Sequence, residues 1–215
     1  FYGGYPGAAT LIGDEDRFSQ YIQSAIIEAT INKDILMDTP ISKPALLRQT
    51  FELGAAYSGE LLSLNKMLGS LQDVGNTVTL AGYINLLNES GLLCGLQKFS
   101  VDMARRRASI PKLQAYNNAL KMVYSPLTFE QAILNRKAWG RIFESGIGAY
   151  LVSQAFVHRF EVFYWRERDA EVDFVLRKKG SVVAIEVKSN AEKRTDGLDK
   201  FRKLFNPQAA FIVGD

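Results

Sequence analysis

The chain has 215 residues, of which 47% are hydrophobic and 23% charged, and its formal net charge is +3. That profile belongs to a folded globular protein and excludes disordered, collagen-like and disulfide-rich chains. A single cysteine, Cys94, rules out an internal disulfide and fits a reducing compartment, so a cytoplasmic location is expected.

The mild positive charge permits nucleic-acid binding without arguing for it. No transmembrane run and no signal peptide is visible, so no membrane partner is expected. The chain opens Phe1-Tyr2-Gly3-Gly4 without a methionine and reads as a fragment with something upstream. Phe1 to Gly13 is a Gly-rich loop. No G-x4-G-K-[ST] occurs, so neither a nucleotide site nor ATPase activity is expected in this segment. Asp14 to Asp38 predicts a helix with Phe18, Tyr21, Ile22, Ala25, Ile26 and Ala29 as its apolar stripe. Pro40 and Pro44 then break the chain, which sets off residues 1–43 as a helical segment.

Pro44 opens a second helix that runs to about Tyr57. Ser63 to Leu71 predicts a short helix capped by Ser63, with Leu64, Met67, Leu68 and Leu71 buried. Asp73-Val74-Gly75-Asn76 reads as a turn. Thr77 to Glu89 is a third helix, packed through Val78, Ala81, Tyr83, Ile84, Leu86 and Leu87, and Gly91 ends it. Leu92 to Ser100 and Pro111 to Tyr116 then suit a β-wing, in which Cys94 is a buried spacer. This order over residues 44–117 resembles a winged helix-turn-helix domain. The resemblance implies base contacts from Asn76, Thr77, Thr79 and Asn85 at the start of the third helix. Lys98, Arg105, Arg106, Arg107 and Lys112 in the wing suit phosphate contacts with DNA. A protein–protein or interdomain module remains the competing reading.

Residues 118–137 form a connector with a short helix from Thr128 to Lys137. From 138 the pattern changes. Gly140 to Phe156 predicts a helix carrying Glu144, and His158 at its end reads as a surface residue. Three strands follow. Phe163-Tyr164-Trp165 marks the first. In Glu171-Val172-Asp173-Phe174-Val175, alternation puts Glu171 and Asp173 on one face and Val172 and Phe174 on the other. In the third strand, Ala184, Glu186 and Lys188 share a face opposite Val183, Ile185 and Val187. Arg177-Lys178-Lys179-Gly180 suits the hairpin between them. Asp196 to Leu204 reads as a helix and Ala209 to Val213 as a fourth strand.

Alternating charges on a strand are ordinarily its wet face. The complete pattern is D-x12-E-x-K on a hairpin with Glu144 upstream, and it resembles the PD-(D/E)XK nuclease superfamily. The resemblance implies a restriction-endonuclease-like α-β-β-β-α-β domain over 138–215, within a mixed α/β (α+β) chain. It further implies that Glu144, Asp173 and Glu186 hold Mg²⁺ or Mn²⁺ while Lys188 assists the attacking water. Two carboxylates suffice for Mg²⁺, which keeps several waters. Val172 stands where the superfamily often has proline.

Nearly the whole chain is also similar to the C-terminal region of a prokaryotic group of AAA-type ATPases. The matching features are Gly3 to Pro6, Lys33-Asp34-Ile35, Thr77-Val78-x4-Tyr83, Pro111-Lys112-Leu113, Gly140-x3-Glu144, Tyr164-Trp165-Arg166, Glu171 to Phe174 and Ile185 to Lys188. This resemblance implies an ATPase domain before Phe1, with the present segment as a nuclease-like appendage. A catalytically silent DNA- or protein-binding module that targets the ATPase, or a regulator that binds only proteins, is the alternative. Oligomeric state is left open.

Overall fold

Helices make up most of the first half of the chain, and a four-stranded sheet organises the second. The computed structural model describes residues 1–71, 75–102, 109–189 and 196–214. Asp73 and Val74 of the expected turn, and Arg105, Arg106 and Arg107, lie outside the described residues.

Helix α1 (Pro6–Ala9) is a single turn. Helix α2 (Glu15–Tyr21) starts where the Asp14 carboxylate accepts the Arg17 N–H, and it runs on into π-helical turns over Ile22–Glu28 and Thr30–Ile35. A wider turn shifts the inward face by one residue. Phe18, Ile22, Ile27, Ile31 and Ile35 are therefore buried, while the expected Ala25 is exposed and Ile26 and Ala29 are only half-buried.

Helix α3 (Pro44–Ala56) carries Pro44 in its first turn. Helix α4 (Leu64–Ser70) is capped by the Ser63 hydroxyl, which accepts the Lys66 N–H, and of its expected apolar side only Met67 is fully buried. In helix α5 (Thr77–Glu89) the buried face is Leu80, Tyr83, Ile84 and Leu87. Val78 was expected in that face, but the first turn points outward and Val78 is 78% exposed. Strand β1 (Leu93–Leu96) pairs antiparallel with β2 (Lys112–Ala115). Leu93, Leu113 and Ala115 close the core beneath these helices.

Helix α6 (Asn118–Met122) and helix α7 (Phe129–Leu134) lead onward. A capping box of Thr128 and Gln131 opens α7. It stops at Leu134 because Asn135 caps the next helix, α8 (Arg136–His158), which begins four residues before the expected Gly140. Arg159 ends α8 in the left-handed region at φ 54°. His158 is exposed there.

Strands β3 (Glu161–Glu167), β4 (Ala170–Lys178) and β5 (Ser181–Lys188) form an antiparallel meander. Lys179 and Gly180, at φ 48° and 86°, make the two-residue turn of the β4–β5 hairpin. Helix α9 (Asp196–Phe205) then leads to β6 (Ala209–Gly214), which lies parallel to β5 at the sheet edge. Leu151 and Val152 of α8 pack on one face with Phe174 and Ile185. Leu198 and Phe201 of α9 pack on the other with Val172, Val175 and Ala184.

The two halves are stitched together at β3. The Phe99 N–H donates to the Tyr164 carbonyl at 2.6 Å, and the Tyr164 N–H donates to the Gln97 carbonyl at 3.2 Å. Phe99 then enters an aromatic cluster with Phe163, Phe201 and Phe205. No described helix is long and apolar enough to cross a membrane.

Candidate functional site

The site is built around an irregularity in β4. Trp165 pairs with Val172 and Phe163 with Val175, so two residues, Asp173 and Phe174, stand opposite Tyr164 alone. Such a bulge re-aims side chains, and bulges are over-represented beside active sites. Strict alternation would give Val172 and Phe174 a common face. With the extra residue, Val172 and Val175 face α9, while Phe174 turns to the α8 side. Regular pairing with β5 reaches only as far as Phe174–Ile185. Beyond it, the Val187 N–H donates to Asp173 Oδ2 at 2.7 Å, so the carboxylate fills the gap between the strands.

On the α8 side, Asp173 meets two residues from distant parts of the chain. Lys112 Nζ donates to Glu144 Oε1 at 2.5 Å and to the Asp173 carbonyl at 3.2 Å, and lies 3.9 Å from Asp173 Oδ1. The ammonium also stands 4.6 Å over the Phe174 ring. Lys112 was expected on the wing surface as a phosphate contact, but it is only 5% exposed. Its own strand explains the difference. Lys112 and Gln114 alternate with Leu113 and Ala115, which enter the N-terminal core, so the two polar residues are turned onto α8. Lys98 is half-exposed, with its backbone beside Tyr164.

Buried hydrogen bonds fix the position of α8. Gln114 Nε2 donates to the Ser145 carbonyl at 2.9 Å, and the Ser58 and Ser145 hydroxyls are 2.8 Å apart. Asn118 Nδ2 donates to the Ile142 carbonyl at 2.9 Å. Glu144 is thereby held beside Lys112. Burial pushes its carboxyl above the usual carboxylate range, Asp173 adds to the rise, and the Lys112 ammonium opposes it.

Glu186 and Lys188 lie on the other face. Alternation along β5 places both with Ala184, towards α9, as the sequence predicts. The Lys188 ammonium donates to Glu186 Oε1. Burial raises the Glu186 carboxyl, Lys188 opposes the rise, and Asp173 reinforces it. Glu186 Oε2 is buried and completes no hydrogen bond among the described residues. The four expected residues are thus split. Asp173 sits in the strand gap, with Glu144 on one side and the Glu186–Lys188 pair on the other.

Among the described residues, no three Asp, Glu, His or Cys side chains are grouped closely enough to hold a metal ion. Lys112 stands between Glu144 and Asp173. Asp173 and Glu186 offer the carboxylate oxygen that a hard divalent cation takes, and Glu186 Oε2 completes no hydrogen bond among the described residues, although the Lys188 ammonium already occupies Oε1.

A cavity of about 410 Å³ opens over Lys112, Glu144 and Asp173, with Arg141 and Arg166 on its wall. A second, of about 620 Å³, is lined by Arg136, Lys137 and Trp139, and shares Arg141 and Glu144 with the first. Arg166 figured in the sequence only as part of the Tyr164-Trp165-Arg166 match, and Arg136, Lys137, Trp139 and Arg141 were not singled out as site residues. Arg136, Lys137 and Arg141 share one signal, a basic cluster at the start of the Glu144 helix, whereas Arg166 comes from β3. Two of the helix residues suggested for base contacts, Asn76 and Thr79, are occupied with each other. Asn76 Oδ1 accepts the Thr79 N–H at 2.8 Å and the Thr79 hydroxyl at 3.1 Å, capping α5. Cys94 is buried, and burial pushes its thiol up to about 12.

Comparison with known proteins gives two family matches. Residues 1–131 match a domain of unknown function, DUF8612, and residues 139–215 match another, DUF4143. No curated protein and no solved structure matches the chain. The first match spans more than half of the 215 residues, so the chain belongs to the DUF8612 family and continues into a segment similar to DUF4143.

Proposed function

We propose that this chain is the C-terminal region of an AAA-type ATPase, and that its second half is a PD-(D/E)XK-type nuclease acting on DNA with Mg²⁺ or Mn²⁺. The observation that carries the reading is Asp173, lifted by a bulge into a strand gap beside the Glu186–Lys188 pair. Asp173 and Glu186 would hold the ion, while Glu144, expected as the third acid, lies across Asp173 and is paired with Lys112. The ion would supply a water of lowered pKa and neutralise charge on the phosphate. Lys188 would orient that water or stabilise the negative charge that develops as the phosphodiester breaks. Arg141 and Arg166 line the adjoining cavity and suit phosphate oxygens.

The test is cleavage of labelled single- and double-stranded DNA by the whole chain with Mg²⁺ or Mn²⁺. Cleavage should vanish with chelator and fall about 10²-fold or more in Asp173→Ala and Lys188→Ala, the scale of losing one main electrostatic stabiliser. Cleavage that survives Asp173→Ala, or chains that take up no Mn²⁺, would refute it.

A second reading is favoured by Lys112. Its ammonium already satisfies Glu144 and part of Asp173, as in a catalytically silent module that binds DNA or protein and targets the ATPase. DNA binding that is lost with rising salt, without metal-dependent cleavage, would select this reading.

A further inference from the structure

We propose that the cavity at the start of α8 is a single-stranded DNA subsite, in which Trp139 stacks on an unpaired base while Arg136, Lys137 and Arg141 hold the phosphates beside it. This rests on DNA as the partner in the reading above, and it needs no metal ion. The cavity holds about 620 Å³, within the range of pockets that enclose a group of small-molecule size.

Its wall is basic and its aromatic ring is fixed. Arg136 and Lys137 are exposed and have no carboxylate partner among the described residues. Arg141 is paired with Glu60 at 3.4 Å, but its side chain is 51% exposed, and so exposed a pair is worth little against a phosphate. Among the described residues the only acid on the wall is Glu144, and the Lys112 ammonium already sits 2.5 Å from its Oε1. Trp139 is half-buried, packed with Met122, Ala132 and Ile142 and set at 72° to the Phe129 ring, so the indole does not swing free in solvent. Gly140 lets the helix start come down onto the end of β5, since a Cβ there would fall 2.8 Å from Ser189 Oγ.

The ring is what separates a single strand from a duplex. Surface cations attract both through their phosphates. A stacking platform needs a base with a free face, which a paired and stacked duplex withholds. The onward path is also marked. Arg141 and Glu144 line the cavity of about 410 Å³ over Asp173 and Arg166 as well, and Val187 of the Trp139 cavity gives its N–H to Asp173 Oδ2. A backbone followed from Trp139 past Arg141 therefore reaches Asp173.

The test measures binding of a short labelled oligothymidylate to the whole chain by fluorescence anisotropy, in chelator so that nothing is cut. A duplex of equal length, thymidine monophosphate and polyglutamate are the competitors. The single strand should bind more tightly than the duplex, and neither the mononucleotide nor polyglutamate should displace it at matched charge. Trp139→Leu should weaken strand binding about 5- to 150-fold, the loss of one stacked base, and leave duplex binding and the salt dependence unchanged. Trp139→Phe should keep most of the affinity. Arg136→Gln and Lys137→Gln should weaken both ligands, and each should reduce the strand's slope of log affinity against log salt by about 0.7. Lys203→Gln, exposed on α9, should change neither. A strand held no more tightly than the duplex, a folded Trp139→Leu that binds like the wild type, or displacement by the mononucleotide or polyglutamate at matched charge overturns the proposal. If Trp139→Leu does not fold, the strand preference and the two slope changes decide the matter. Metal-dependent cleavage of duplex by a chain with no strand preference leaves the cleavage reading standing without this site. Strand binding that depends on Trp139 in a chain that cuts nothing does the reverse. A chain that neither binds nor cuts DNA takes down both.

Discussion

Replacing Gly148 by alanine places a methyl group where helix α8 meets the sheet. Gly148 lies four residues after Glu144, on the same helical face. A Cβ there would fall 2.1 Å from Gln114 Oε1 and 2.7 Å from Phe174 Cζ. Neither neighbour can yield easily. The Gln114 amide donates to the Ser145 and Ala115 carbonyls at 2.9 and 2.8 Å, and Phe174 is fully buried. Overpacking at two rigid neighbours costs about 2–3 kcal/mol. Alanine's better helix propensity offsets about 1 kcal/mol of this. The expected outcome is a net loss of about 1–2 kcal/mol, which lowers the urea midpoint by about 0.5–1 M at ordinary m-values. Urea unfolding followed by circular dichroism measures it. Gly82→Ala in α5 is the control, because a Cβ there meets nothing within 4 Å. It should raise the midpoint, with propensity acting alone for up to about 1 kcal/mol. A Gly148→Ala protein as stable as the wild type would refute the close approach of α8 to β2 and β4.

Phe201→Ala empties the centre of the α9 face, where Phe201 packs against Phe99, Trp165 and Phe205. Thermal or urea unfolding should show a loss of about 3–5 kcal/mol, and a loss under 1 kcal/mol would contradict that packing. The raised carboxyls of Glu144 and Glu186 set a pH dependence. Each binds a proton more tightly when folded than when unfolded, so its contribution to stability is greatest at low pH. It falls as pH rises from the ordinary value of 4.5 through the folded value. Glu186→Gln removes that titration, so unfolding measured between pH 4.5 and 8 should show the variant gaining on the wild type as pH rises. A variant that loses ground would reverse the sign of the argument.

The β4–β5 hairpin was readable because its signals are local. Alternation in β5 assigns Glu186 and Lys188 to one face, and Lys179-Gly180 fits a turn with two positive φ angles. Ser63 could be read as a cap for the same reason. The π-helical turns were not readable, since a 3.6-residue period assigns Ile26 to the face that Ile27 occupies. The bulge at Asp173 and Phe174 depends on how β4 pairs with β3, which alternation within β4 does not encode. Lys112 was misplaced because its burial depends on Glu144, 32 residues away, and on Asp173, 61 residues away. The start of the Glu144 helix at Arg136 was missed because Asn135, its cap, lies inside what reads as a continuing connector.

The aromatic cluster gives the molecule an intrinsic optical probe. Trp165 is 3% exposed and edge-on to Phe201 and Phe205, rings that Phe99 also touches from the first half of the chain. Trp139 lines an open basic cavity instead. The two indoles should therefore emit at separate wavelengths. Red-shifted emission from Trp165 would signal that the Phe99 segment has peeled away, and quenching of Trp139 would signal a ligand in the cavity.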